Sequence, residues 1–226
     1  MVDTRLWGKS EGLPAPYPVV GHLVDTAVVC GAVWDSVLSI AQRRRIAEVL
    51  AIGPGQARSV VMFWAGLHDL GKITPGFQRL AVQSRSAACA FLSEAAYVDG
   101  VLSGDGSGDL RHEYATHRAL PQLLARLGYP QSGGRLGRLL LAQVPQLLGG
   151  HHGRYPEGVG PQDLQDPQRD TPGLGAGVWA EQRWEHVAAL HEVLGRPVGR
   201  CRWRLRWSSR AWSSWRTGLP VRSTSF

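Results

Sequence analysis

Apolar residues in this chain recur with the period of a helix and nowhere with that of a strand. Leu23, Ala27, Cys30 and Trp34 fall three and four residues apart, on one face of a helix predicted over 19–40. No alternating apolar–polar segment and no fixed-period repeat is evident. The fold class that follows is all-α. Gly53-Pro54-Gly55 ends the first region, and a second helix is predicted near Ala57 to Leu70, closed by Gly71 as a C-terminal glycine. Further helices are predicted over the alanine-rich 81–98, from His112 to Arg126 with Pro121 bending or interrupting it, and over "GRLGRLLLAQVPQLL" up to Gly149-Gly150. The last is "GVWAEQRWEHVAALHEVLG", with Trp179, Val187, Leu190 and Leu194 facing the core. Residues 1–18, with Pro14, Pro16 and Pro18, read as an irregular lead-in, and 99–109 and 153–175 read as loops.

At 226 residues the chain suits one domain with a real core, or a domain plus a tail. Its charge distribution favours the second. From Pro197 to Phe226 there are seven arginines and no acid, whereas the whole chain has 25 Lys and Arg against 18 Asp and Glu. The body, residues 1–196, therefore carries equal numbers of each sign. The overall charge of +7 says nothing about what the body binds. Cys30, Cys89 and Cys201 are odd in number and widely spaced, which argues against a disulfide framework or a thiolate zinc site. Cys30 and Cys89, in apolar surroundings, read as small core residues. The apolar run "VVMFWAGL", 60–67, is far too short to span a bilayer, and the N-terminus lacks a basic-then-apolar leader. These features predict a cytoplasmic protein without membrane contact.

Histidines and acids cluster in four places. "GHLVDTA" holds His22 and Asp25, and "LHDLGK" holds His68, Asp69 and Lys72. "RHEYATH" holds His112, Glu113 and His117, and "GGHHGRYP" holds His151 and His152. Each has an ordinary structural explanation when taken alone. His22 could cap or pack, Lys72 could be a solvated charge at a helix C-terminus, Phe77 could be packing, and His117, His186 and His191 could be surface or interhelical residues. His117 follows His112 by five positions, about 140° around a helix, so the two cannot face one ion. In favour of a site, His68-Asp69 sits where an apolar helix leaves the core. The glycines around His151-His152 leave room for an ion, and Arg111 could meet an anion. Imidazole and carboxylate donors without thiolate suit manganese, iron, cobalt, nickel or zinc rather than calcium.

The ordered pattern H…HD…H…HH resembles the HD superfamily of metal-dependent phosphohydrolases. "LWGKS", "PYPVVGHLVDTA", "AGLHDLGKITPGFQ", "RHEYAT" and "GGHHGRYP" resemble one branch more narrowly, the HD nuclease domain of the CRISPR-associated helicase–nuclease of type I systems, most like subtype I-E. The resemblance covers roughly residues 5–195 and implies an HD-domain helical bundle. It implies that His22, His68 and Asp69 hold a first metal, with Asp69 bridging to a second held by His112, His151 and His152. Lys72 would lie near the scissile phosphate or attacking water, with Arg111 a further substrate contact. The implied cofactors are two divalent transition-metal ions (Mn, Fe, Co or Ni). The implied activity is hydrolysis of single-stranded DNA after recruitment by a surveillance complex, with a helicase module absent from this chain feeding the strand. The alternatives are an HD-type nucleotide phosphohydrolase, which would need a closed base-recognising pocket, and an inactive remnant.

The remnant reading arises because the family pattern ends in another aspartate ligand, in an apolar segment followed by Ala-Asp-Trp, and this chain has none. After Gly195 the sequence turns to "RPVGRCRWRLRWSSRAWSSWRTGLPVRSTSF". Arginine and tryptophan together could bind nucleic acid, and the segment could equally be an unfolded end. The favoured reading is a reading-frame shift. With GC-rich codons, Ala211–Leu219 displaced by two bases reads Leu-Val-Val-Leu-Ala-Asp-Trp-Leu. Asp163, Asp166 and Asp170 are weaker substitutes for the lost ligand.

Overall fold

Pro18 sits in extended conformation (φ −66°, ψ 148°) and opens helix α1, Val19–Ser36. The computed structural model describes residues 1–9, 13, 15–50, 52–83, 87–97, 110–129, 135–156 and 171–195. The loop at 99–109, the three loop aspartates and the tail from residue 197 onward lie outside the described residues. Among the described residues the other helices of eight residues or more are α2 (Ile40–Leu50), α3 (Pro54–Gly66), α4 (Pro75–Gln83), α5 (His112–Arg126), α6 (Arg135–Gly149) and α7 (Val178–Val193). The all-α expectation holds in its main content.

Three local expectations change. The stretch 19–40 is not one helix. Ser39 accepts the Gln42 N–H at 3.2 Å while the Gln42 amide oxygen accepts the Ser39 N–H at 2.8 Å, a reciprocal capping box that starts α2. The stretch 81–98 is not a helix of its own, because a helix already starts at the Thr74-Pro75 pair. Pro75 occupies the first helical position, where its missing N–H costs nothing, and Thr74 Oγ1 accepts the Phe77 N–H at 3.4 Å. Among the described residues, 81–98 are not one helix but hold the end of α4, a 3-10 segment, Ala87–Ser93, and helical residues at 95–97. Residues 1–18 are not wholly irregular, because β1 (Trp7–Lys9) pairs antiparallel with β2 (Tyr17–Pro18) across a register irregularity.

α1 packs along α3, and α5 packs on both α6 and the turn after α3. Leu23, Ala27, Phe63, Leu67, Leu70, Leu120, Leu124, Trp179, Val187 and Leu190 form the main core. Trp34, Ala47, Leu50, Ala57 and Val60 form a smaller cluster under α2. Cys30 is only half-buried, contrary to its reading as a core residue. α5 runs through Pro121 without a break. By length and composition α1, 18 residues at mean hydropathy 1.2, could also cross a membrane, and only 28% of it is buried. Its buried side, Leu23, Ala27, Gly31 and Trp34, faces the core.

Candidate metal centre

α3 ends at Gly66 rather than Gly71, and the chain turns through His68 and Asp69 into a 3-10 turn, Leu70–Lys72. We refer to residues 68–74 as the HD turn. Gly71 is needed there for space. A Cβ on it would lie 1.9 Å from the His112 carbonyl oxygen and 2.5 Å from the Thr116 nitrogen. Backbone contact at this point sets the first residue of α5, His112, beside Asp69. His22 arrives from α1, and His151 and His152 arrive from the turn after α6. The glycine before that turn is filled by protein: a Cβ on Gly150 would lie 2.2 Å from the Tyr155 ring, which folds back over it. Tyr155 therefore fills the space a Gly150 side chain would take, while the donor atoms of His112, His151 and His152 still come within 4.8 Å of one another.

Asp69 is 4% exposed and its two oxygens face different partners. Oδ2 lies 2.8 Å from His22 Nε2, 3.1 Å from His68 Nε2 and 2.8 Å from Lys72 Nζ. Oδ1 lies 3.2 Å from His112 Nε2 and 3.3 Å from His151 Nε2, yet no donor among the described residues meets it in hydrogen-bond geometry. His152 Nε2 is 3.1 Å from His112 Nε2. The donor atoms fall into two groups, His22/His68/Asp69 and His112/His151/His152, each within 4.8 Å.

The donors fit a metal. His68 Nδ1 lies 3.0 Å from the Ala65 carbonyl, and His151 Nδ1 lies 2.7 Å from that of Leu148. A neutral ring bonded this way carries its proton on Nδ1 and aims the Nε2 lone pair at Asp69. Lone pairs facing a buried carboxylate repel unless a proton or a cation lies between. Charge effects follow the same geometry. Burial alone would raise the Asp69 carboxyl, but the imidazoles of His112, His151, His22 and His68 outweigh it and hold the group below the usual carboxylate range. Asp69 pulls His151 above the ordinary imidazole value. Burial, followed by the His151 and His112 charges, pushes His152 below it.

Lys72 is no solvated charge. Its side chain is 12% exposed, and its Nζ also donates to the Gly8 carbonyl at 2.8 Å. Fully buried Gln78 holds the β1 strand against it: the Trp7 N–H reaches Gln78 Oε1 at 3.1 Å, and Gln78 Nε2 donates to Trp7 O at 2.9 Å and Lys72 O at 2.8 Å. Phe77 stacks on Trp7 with centroids 4.8 Å apart and meets the His112 ring at 5.5 Å, so it walls the centre as well as packing. Arg111 is not brought to Asp69. It is largely exposed and pairs with buried Glu113, whose other oxygen lies 3.5 Å from His112 Nδ1. Asp25 accepts the Tyr17 hydroxyl at 2.7 Å instead of joining the centre. His117 and His186 are buried between helices. Gln78, Thr116 and the Gly8 carbonyl carried no local signal of their roles.

A helical domain built around a buried His-Asp turn, with imidazoles delivered from the ends of other helices, defines the HD class. The chain belongs to the Cas3 HD-domain family, since the family model "Cas3, HD domain" matches residues 7–223. The CRISPR-associated nuclease/helicase Cas3 of Streptococcus thermophilus is 25% identical over 142 residues, covering 61% of this chain and 14% of that protein. The crystal structure of T. fusca Cas3 with AMPPNP superposes with a TM-score of 0.72 at 35% identity, over 87% of this chain and 20% of that one. A chain from a CRISPR RNA-guided surveillance complex, pre-nicking, superposes at 0.71 with 34% identity, over 87% and 22%. This chain thus spans about a fifth of the length of these solved relatives.

Proposed function

We propose that the chain is a metal-dependent nuclease module of CRISPR interference that hydrolyses phosphodiesters in single-stranded DNA. The observation that carries the reading is the division of Asp69, one oxygen towards His22 and His68 and the other towards His112 and His151. A carboxylate so divided suits a bridge between two divalent ions, which we take to be Mn, Fe, Co or Ni. His22 and His68 would complete one group of donors, and His112, His151 and His152 the other. Bound ions would supply Lewis acidity and an activated water. The chain's own contribution is to hold the imidazoles neutral and aimed, and to keep the Lys72 ammonium at Asp69, where it can meet a phosphate oxygen. A site that recognises phosphate reads no base edges, so cleavage would be indifferent to sequence.

In the cytoplasm the module would act with a surveillance complex and a helicase module. A phosphohydrolase for free nucleotides is less favoured. A cavity of about 310 Å³ does occur, but Gln122, Leu123, Arg126, Leu174 and Arg183 line it and no ligand-bearing histidine does. One observation favours the remnant reading: among the described residues the first group holds three donors, His22, His68 and Asp69, and no fourth.

The test is incubation of circular single-stranded DNA with the full chain and manganese, cobalt or nickel. Cleavage that disappears in His68→Ala and Asp69→Ala supports the nuclease. Cleavage that persists in both sinks the site assignment, and none from the parent chain supports the remnant.

A further inference from the structure

Thr116 lies one helical turn after His112 and is completely buried. Its hydroxyl donates to the His68 carbonyl at 3.0 Å and accepts the Gly71 N–H at 2.8 Å. Those two backbone groups bracket Asp69 in the chain. A single side-chain atom thus joins the helix that carries His112 to both shoulders of the turn that carries His68 and Asp69. The same contact is tight enough that Gly71 can carry no side chain.

We propose that Thr116 is a positioning residue that sets the spacing between the two donor groups. The inference rests on the two-ion reading given above. Asp69 can serve both groups only while its Oδ1 stays near His112 and His151 and its Oδ2 near His22 and His68. The backbone contact at Gly71 limits how closely α5 can approach, and the Thr116 hydroxyl stops it from drifting away. A hydroxyl can donate and accept at once; valine has the same shape and does neither, and serine does both. With valine the Gly71 N–H and the His68 carbonyl lose their partner, α5 is free to shift against the HD turn, and Asp69 is left to one group. Thr116 touches no substrate and acts only through His68, Asp69 and His112.

The experiment is manganese binding to the full chain by equilibrium dialysis, with electron paramagnetic resonance reporting a spin-coupled pair. The parent is expected to take up two ions with a coupled signal. Thr116→Val is expected to keep one ion, bind the second about tenfold or more weakly and lose the coupled signal. Thr116→Ser is expected to return both to near the parent. Val187→Ala, in the α7 core at 0% exposure, serves as a control with a comparable loss of melting temperature and is expected to leave the second ion unchanged. Equal second-ion affinity in Thr116→Val and the parent overturns the proposal, as does equal weakening in Val187→Ala. A parent that takes up fewer than two ions overturns the two-ion reading itself and the proposal with it.

Discussion

Two turns feed this centre, and they are built differently. The HD turn is gripped from every side. Thr116 bonds it from α5, Gln78 holds Lys72 O, the Gly8 carbonyl holds the Lys72 ammonium, and fully buried Arg183 donates to Ile73 O at 2.9 Å. The turn at 150–153 is exposed at both histidines, and His151 is steadied by one carbonyl, that of Leu148. Three fixed donors, His22, His68 and Asp69, therefore form a preorganised half, and the His151-His152 turn is the half that can adapt to an ion. Binding to the first half should need little rearrangement, while binding to the second includes the ordering of an exposed turn.

The largest test of that contrast is at the glycines. Gly71→Ala would force a Cβ into the α5 backbone, and a loss of about 4 kcal/mol or more, or failure to fold, is expected in chemical denaturation. Gly153→Ala meets open space and faces only a positive φ of 84°, so about 1–2 kcal/mol is expected. Similar losses at both positions would break the comparison. Next come the ligands. Asp69→Asn should abolish uptake of both ions in dialysis, and His152→Ala should remove only the second. An Asp69→Asn chain that still binds two ions would mean the carboxylate is not shared.

Acid should separate the halves further. His151 is raised by Asp69, so in the metal-free chain the Asp69–His151 ion pair is present at low pH and is lost as pH rises through the raised value. Metal uptake runs the opposite way. Protons should begin to displace the ion at His151 above the ordinary imidazole value of about 6.5, a shift that metal titration at stepped pH would reveal. His186 is a confounding source of acid lability. Burial lowers it to about 4, so the unfolded chain takes up its proton first. Stability should then fall by up to about 3 kcal/mol between pH 6.5 and 4. His186→Asn, which keeps an acceptor-bound N–H, should flatten that slope in thermal melts without moving the metal titration. The smallest effect is expected at Arg111. Its side chain is exposed, and Arg111→Ala should change stability by no more than about 1 kcal/mol. A larger loss would mean that the Arg111–Glu113 pair holds His112 in place.

Much of the centre was legible because its ligands carry local signs. His68-Asp69 ends an apolar helix, His112 opens another, and His151-His152 sits among glycines. Other local signs were equally available and changed the helix boundaries. Ser39 with Gln42 spells a capping box, and Thr74-Pro75 marks a helix start. What the sequence could not reveal is the set of bonds across long separations. Gln78 pairs with Trp7 as a strand neighbour would, and nothing in either residue announces it. Thr116 reads as an ordinary helical threonine until its hydroxyl is found between His68 O and Gly71 N. Gly71 itself was misread for a related reason: a glycine needed for approach to another helix has the same local look as one that closes its own. The short β1–β2 pairing was missed because two or three residues are too few to display alternation.

Arg183 bears on how the molecule is made. It lies on α7, and the bond it gives to Ile73 spans 110 residues of sequence. From the same helix Gln182 reaches back to the Asp3 N–H across 179 residues. On the ribosome, β1 and the His-Asp turn emerge long before the helix that clamps them. Until α7 has left the exit tunnel, Lys72 and Asp69 belong to an unfinished core, and protection of both regions from proteolysis should appear together, only once α7 has emerged.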